Sequence, residues 1–460
     1  MKKTTFLTSL SILTALSITA CSSSTSSDEA VSTKVAQKSD LKGTVRVALA
    51  GWQLDNGIDA QTGSESIGLK QFLKETFEKQ YPNIKLELYQ IPWENAKAKQ
   101  YAMLLSKDVD ILYTGGAYAA QWYQEGLLRD IDDLIKADPS FDSSIYLDGV
   151  LNNSYSTKSL DKSHQYGLPA VLGRRMTIYD KKLFDDWGVP PLSSKATPDE
   201  ILNAATKMTG KNPKTGEQNY GIYWSGNSIN GSTFVGLTLA FGAKGAEGSL
   251  KDMKNIKWQL NTPEMVKVME WLRKAAPLAP PGFVNAQGSE NFGLAKNNIG
   301  IGIDVNGGST MSDFRVNKTT ENLNRFIPAM NVGPKGESWV AVDPFIMSKN
   351  VKDEKAAWEA MKFLAGYETQ KHNYKYFSYT PTLKKPDFIT KEDKYVQEAL
   401  KIADLAHSEL MDEANPFFLS DIVPAVNGFI SQAAKGNAPD SKQFLDDLQK
   451  RAEAWSKNLK

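Results

Sequence analysis

The sequence contains one cysteine, Cys21, and only three histidines, His164, His372 and His407. One Cys cannot form an intramolecular disulfide, and a chain of 460 residues can bury a core without one. The histidines stand far apart in sequence with no Cys beside them, and no H-E-x-x-H occurs, so no dedicated metal site is expected. Excess charge is also scarce. Lys+Arg 54 against Asp+Glu 53 gives +1, and loss of an N-terminal segment carrying Lys2 and Lys3 makes it −1. Neither value supplies the basic field that nucleic acid requires. Beyond the N-terminus no run stays apolar for the roughly 18 residues of a membrane-spanning helix. Nucleotide and nucleophile motifs are missing as well. Gly242 to Gly248 lacks the Lys-Ser/Thr of a P-loop, and Ser309 in Gly307-Gly308-Ser309-Thr310-Met311 lacks the closing Gly of a nucleophile elbow. No cofactor is expected. What remains is an ordinary globular composition, 41% hydrophobic and 23% charged, long enough for about three domains or two large ones.

The N-terminus has a distinct character. Lys2 and Lys3 precede a mostly apolar stretch from Phe6 to Ile18, too short to span a membrane and laid out like a secretory signal. Ile18-Thr19-Ala20-Cys21 resembles a bacterial lipobox, in which the Cys thiol is acylated and becomes the new N-terminus. Residues 22–40, rich in Ser, Thr and charge, have the composition of a flexible tether. The expected organisation is a lipoprotein signal peptide over 1–20, a tether over 21–41 and a folded region from about Lys42. The mature chain is then extracytoplasmic and lipid-anchored, at the cell surface or on the periplasmic side, without crossing the membrane.

The folded region opens with strand-like alternation at Thr44–Leu49. A helical pattern over Gly68–Tyr81 ends at Pro82, and Ile84–Leu88 alternates again. A helix is expected over 95–106 and a short buried strand at Val109–Tyr113. This β-α-β-α-β order predicts a parallel or mixed sheet with helices on its faces. Later helices announce their starts. Thr197-Pro198-Asp199-Glu200 and Thr262-Pro263-Glu264 place an N-cap before Pro, residues 353–365 share an apolar face ending at Gly366, and Ser441 is the expected cap of a last helix. In that last helix Phe444, Leu448, Ala452, Trp455 and Leu459 are expected inward. Asp130, Asp132 and Asp133 read as a solvated helix face.

From Tyr81-Pro82-Asn83-Ile84-Lys85 onward the sequence resembles the extracellular solute-binding lipoproteins of bacterial ABC importers, in their carbohydrate-binding branch. The likeness is carried in order by five stretches. They are Phe72 to Lys85; Asp108–Tyr113 with Gly126–Ile131; Tyr166-Gly167-Leu168-Pro169 with Ile178–Phe184 and Trp187-Gly188; Phe292-Gly293 to Asp304; and Ser348 to Leu364 with Tyr379-Thr380-Pro381-Thr382. The family often has Asn where Asp180 stands, and small or apolar residues where Asn297 and Asn298 stand. The resemblance implies an α/β, two-lobe fold of the periplasmic-binding-protein kind, with a multi-strand hinge and a helix-rich C-terminal part. One lobe would comprise 42–168 plus 330–378, and the other 170–327 plus 382–460. Crossings would fall near Leu168–Val171, Ile327–Val332 and Tyr379–Leu383. It also implies a monomer that captures a mono- or oligosaccharide, hands it to the transmembrane permease subunits of an ABC transporter, and has no catalysis of its own. A different polar solute such as a polyamine is the alternative within binding proteins. A surface carbohydrate-active enzyme using Asp110 and Asp304 as paired carboxylates is the alternative outside them.

A sugar site needs flat aromatic surfaces and polar side chains, and in open α/β sheets it lies at the carboxyl ends of strands. Residues that follow strand-like runs are therefore the candidates: Trp52, Tyr113, Trp224, Asn227, Asp304, Asn306, Trp339 and Asp343. Trp271, Trp358 and Trp455 sit at core spacing on helices. Trp93 and Trp122 receive no assignment from position alone. Arg174 and Arg175 are expected in an interlobe or surface ion pair, the other reading being a cation pair for an acidic sugar.

Overall fold

A computed structural model describes residues 40–58, 63–153, 156–173, 176–224, 233–329, 341–401, 409–411 and 415–459. Cys21, the signal, the tether as far as residue 39, Arg174, Arg175, Asn227 and Trp339 lie outside the described residues, whereas Leu41 at the expected end of the tether already packs against the first core.

Two five-stranded sheets carry the fold. The first contains β1 (Gly43–Ala50), β2 (Ile84–Ile91), β3 (Ile111–Tyr113), β4 (Gly167–Gly173) and a late arrival, β10 (Ala341–Met347), in the order β2-β1-β3-β10-β4. Strand β1 pairs in parallel with both β2 and β3, and β10 runs antiparallel between β3 and β4. The second sheet contains β5 (Met176–Asp180), β6 (Gly210–Lys211), β7 (Gln218–Trp224), β8 (Ile299–Val305) and β9 (Phe326–Ala329), in the order β9-β5-β8-β7-β6. Strands β7 and β8 are parallel, and β5 is antiparallel to both β8 and β9. The alternation read at Thr44–Leu49 and Ile84–Leu88 thus corresponds to strands. The near-continuous burial of β1, β3, β4, β5 and β8 follows from helices covering both sheet faces.

Each sheet has its own apolar core. The first gathers Val45, Val47, Leu49, Phe77, Trp122, Phe345, Trp358 and Met361; the second gathers Ile178, Phe184, Trp224, Met265, Trp271, Phe326, Phe418 and Leu448. Helix Gly116–Gln124 belongs to neither alone, because Tyr118 packs against both cores. No helix among the described residues is long and apolar enough to cross a membrane.

Two of the three expected caps hold. Thr197 accepts the Glu200 N–H at 3.2 Å and Thr262 the Met265 N–H at 3.3 Å, each before a Pro in the first turn. Other expectations change. Gly68–Tyr81 is two helices, Leu69–Glu75 and Phe77–Gln80, broken at Thr76, whose hydroxyl donates back to the Phe72 carbonyl. The last helix, Ser441–Asn458, is capped by Asp440, which accepts the Gln443 N–H, while Ser441 is spent on Arg273 and Glu270; Leu445 is buried more deeply than Phe444. Two expected crossings shift: Leu168–Val171 lies inside β4, whose pairing with β10 holds the chain in the first sheet as far as Gly173, and Tyr379–Leu383 is still bonded to that side, Thr382 to Pro169 and Leu383 to Tyr146.

At the amino edge of each sheet a buried aspartate is held by an arginine. Asp110, just before β3, receives Arg46 Nε and Nη2 at 2.9 Å each, plus the N–H groups of Arg46 and Lys352. Burial opposes ionisation of Asp110, but the guanidinium and the two N–H donors together hold its carboxyl below the usual range. Asp180 closes β5 and receives Arg325 Nε at 2.9 Å and Nη2 at 2.6 Å, Asn297 Nδ2 at 2.8 Å, and the N–H groups of Lys182 and Leu183 that open the next helix.

Candidate functional site

The carboxyl edges of the two sheets are where the chain leaves its strands with little further pairing. From the first sheet, β1 leads into Gly51-Trp52-Gln53, β2 into Pro92-Trp93 and β3 into Thr114-Gly115. From the second, β8 leads into Asn306-Gly307-Gly308. Asn306 Oδ1 accepts the Gly308 N–H at 2.9 Å and so fixes the start of helix Gly308–Asn317. Gly307 is required here: a Cβ would meet the Tyr395 ring at 2.1 Å.

Between these edges lies a cavity of about 450 Å³. Gly51, Gln53, Ser64 and Ser66 line it from the side of the first sheet, and Asn306, Ser309 and Ser312 from the side of the second. Tyr376, Phe377, Ser378 and Tyr379 close one end. Gln53 Nε2 is held by the Asp55 carbonyl at 2.8 Å and Ser66 Oγ at 2.9 Å. Ser64 Oγ reaches the Ser312 carbonyl at 3.5 Å, a contact between the two sides. Arg315 donates to Ser378 Oγ at 2.6 Å and Ser312 Oγ at 3.2 Å, and burial lowers its pKa. The lining thus combines hydroxyls and amides, which both donate and accept, with aromatic edges and faces.

Under Gly51 sits an aromatic floor. Trp52 is only 2% exposed and meets Tyr113 at 5.1 Å, Phe345 at 5.5 Å and Tyr379 at 6.4 Å, all edge-on. Tyr113 donates to Asp343 Oδ2 at 3.2 Å, and Tyr379 donates to the Gly51 carbonyl at 3.2 Å. Burial, reinforced by the Asp343 charge, pushes the Tyr113 hydroxyl well up and that of Tyr379 up to about 12, so both remain donors at neutral pH.

The structure therefore brings Trp52, Tyr113 and Asp343 together as the support of the cavity, and places Asn306 in its wall. It sets Trp224 elsewhere. Trp224 is fully buried, edge-on to Phe283 at 4.7 Å and 6.3 Å from Trp271, within the core of the second sheet. Asp304 is buried with a left-handed φ of 59°, where the pairing of β8 with β5 shifts register. The paired-carboxylate reading does not assemble. Asp110 is fully engaged at the amino edge of the first sheet, whereas Asp304 lies near the carboxyl end of a strand in the other.

Several lining residues escaped the sequence reading. Gln53, Ser64, Ser66, Ser309 and Ser312 are small polar residues that only the fold assembles. Tyr376 and Tyr379 follow no strand, and a search of strand ends passes over them. Folding also brings His164 beside acids far away in sequence. Its Nδ1 lies 3.3 Å from Asp132, and Asp130, Asp132 and His164 are the group among the described residues whose donor atoms could hold a metal ion. All three are exposed, Asp130 already receives the Tyr123 hydroxyl, and Asp132 receives the Gln165 N–H.

Solved structures share this architecture over nearly their whole length. An ABC transporter solute-binding protein of Agrobacterium vitis S4 with bound D-mannitol is 20% identical, with a TM-score of 0.66, covering 90% of this chain and 98% of that one. An ABC substrate-binding protein of Listeria monocytogenes in complex with cycloalternan is 19% identical, with a TM-score of 0.67 and coverage of 90% and 99%. Maltose-bound MalE3 of T. maritima is 16% identical, with a TM-score of 0.66 and the same coverage. The fold is thus the two-lobe periplasmic-binding-protein fold. No curated protein matches the sequence. Residues 62–371, well over half of the chain, match the family described as bacterial extracellular solute-binding protein. With two sheets facing one another across a polar, aromatic cavity, and that match running through both, the chain belongs to the bacterial extracellular solute-binding protein family.

Proposed function

We propose that this protein captures a carbohydrate between its lobes and delivers it to an ABC permease, with no catalysis of its own. The observation that carries this reading is the cavity lining: Gln53, Ser64, Ser66, Asn306, Ser309 and Ser312 offer paired donors and acceptors, and Tyr376, Phe377 and Tyr379 offer aromatic surface. Sugars present this pairing of hydroxyl rim and apolar C–H face. The mannitol, cycloalternan and maltose bound by the structural neighbours agree with it. Trp52, Tyr113 and Asp343 hold the floor in this scheme, and Asn306 contacts the ligand. Asn227 and Trp339, which lie outside the described residues, are kept as ligand contacts in this scheme on their place in the sequence alone, after β7 and before β10. Redrawn from the expected bounds, the lobes are 42–173 plus 341–390, and 176–329 plus 394–460, because Thr382 and Leu383 bond to Gln370, Pro169 and Tyr146 whereas Tyr395 joins the core of the second sheet. They close about the chain segments that join the two sheets, and the ligand stabilises the closed state by touching both.

The anchor forms part of the same proposal. Cys21 is acylated after removal of residues 1–20, and residues 21–41 tether a monomer to the membrane. Replacing Cys21 by Ala releases soluble protein or leaves an unprocessed precursor, with the folded region unchanged. Correctly cleaved Cys21→Ala protein that stays in the membrane would refute the lipid anchor. For the ligand, the mature protein is titrated with an oligosaccharide panel while tryptophan fluorescence and melting temperature are followed. A saturable signal and a raised melting temperature without product support capture. Turnover of the sugar, or binding of polyamines in place of sugars, sinks it.

A further inference from the structure

We propose that Trp93 and Tyr118 form a second ring platform beside the cavity, and that the ligand is an oligosaccharide of at least two units. The inference rests on the carbohydrate reading above and narrows it. Trp93 stands apart from the other tryptophans of the two sheets. Trp52, Trp122, Trp224, Trp258, Trp271 and Trp358 are almost wholly buried and Trp187 and Trp455 are half-buried in packing, while Trp93 is 40% exposed. An indole left half in water forfeits much of its burial energy. Its position is where a ligand would use it. Trp93 follows β2 and opens helix Trp93–Ser106, at the same carboxyl edge as Gly51 after β1 and Gly115 after β3.

The indole is also held in place. Gly51 has φ 69°, and a Cβ there would lie 2.0 Å from Trp93 Nε1, so glycine is needed both for the backbone and for the ring. The ring edge reaches Gly115, where a Cβ would come within 3.9 Å of Trp93 Cζ3 and 3.6 Å of Tyr118 Cδ2. Tyr113 braces it from below, edge-on at 6.0 Å. Gly51 is at once a wall of the cavity and the seat of Trp93. A glycan chain leaving the cavity past Gly51 therefore meets the Trp93 ring next, with Tyr118 beside it, its ring already carrying Lys97 Nζ at 5.4 Å on one face. Tyr118 packs against both cores, so this platform spans the line along which the lobes meet.

The competing role is structural: Trp93 merely wedges the Gly51 loop. The two roles separate in one experiment. The mature protein is applied to a glycan array carrying each sugar at lengths from one to six units, and dissociation constants are measured for the best binder and for its monosaccharide. Affinity should rise with the second or third unit. Trp93→Ala should weaken the longer glycan by about tenfold or more and leave the monosaccharide unchanged, with Trp93→Tyr restoring most of the loss. Sugars bound with no dependence on length, or an equal loss for short and long ligands, overturn this inference and leave the carbohydrate reading standing. Binding to no glycan of any length overturns both. If Trp93→Ala fails to fold, Trp93→Leu and Tyr118→Ala carry the same comparison: length dependence unchanged in both overturns the platform.

Discussion

The two sheets are fastened alike at one edge and differ at the other. At the amino edge Arg46 grips Asp110 and Arg325 grips Asp180, each in a two-pronged pair with further N–H donors filling the carboxylate. At the carboxyl edge the tryptophans that close β7 and follow β1 part ways. Trp52 supports the cavity floor against Tyr113 and Tyr379, whereas Trp224 turns into the core against Phe283 and Trp271. A shared place at a strand end thus fixes where a side chain begins but not which face receives it. That choice belongs to the partners that arrive from elsewhere in the chain.

The sharpest way to break this comparison is at Trp224. Trp224→Ala should cost about 3–5 kcal/mol of folding stability by denaturant titration, with the intrinsic affinity of the surviving folded fraction unchanged. Weaker binding at near-normal stability would return Trp224 to the cleft. Next comes the amino edge. Arg325→Met leaves the Asp180 charge buried and should cost about 3 kcal/mol or more, while adding Asp180→Asn should recover part of it. A double variant no better than the single would mean that packing, not charge, dominates there. A smaller effect is expected at the floor. Trp52→Phe should cost about 1–2 kcal/mol of stability and also weaken the ligand, because Gly51 and Tyr379 lose their support. Unchanged affinity would separate the floor from the site.

The smallest effect is on pH. His372 stacks on Phe72 at 4.2 Å, and burial lowers its pKa to about 4. The unfolded chain, with an ordinary His near 6.5, then binds more protons than the folded one. Its contribution is fully present above about pH 6.5 and is lost as pH falls towards 4. Allowing for partial solvation, that loss should be on the order of 1 kcal/mol, and His372→Phe should flatten this part of the stability profile. An unchanged profile would show that other groups set it.

Much of the scaffold was legible in the sequence because its signals are local. The period-2 runs of β1 and β2, and the Thr-Pro starts at Thr197 and Thr262, need no distant partner to act. The site was legible only in part. Trp52, Tyr113 and Asp343, expected from strand ends to touch a ligand, touch one another beneath the cavity and do not line it. The serine lining was hidden because Ser64 and Ser312 have meaning only once two remote segments face each other. The departures at Asp180 and Asn297 looked unrelated in sequence. Folded, they are one network with Arg325: the Asp180 carboxylate takes the guanidinium as its cation, and the Asn297 amide fills a remaining lone pair.

The arrangement of the first sheet has a consequence for how the molecule is made. Its strand β10 arrives only after the whole second sheet has been synthesised, and Tyr113 and Asp343, which join at the cavity floor, are 230 residues apart. The first core therefore cannot close while the ribosome is still working through its inserted neighbour. Such long-range closure is slow. For an extracytoplasmic protein, delay is useful: the polypeptide stays loosely folded during synthesis, and the first lobe closes only once the last strand and the helix after it, which carries Trp358 and Met361, have arrived.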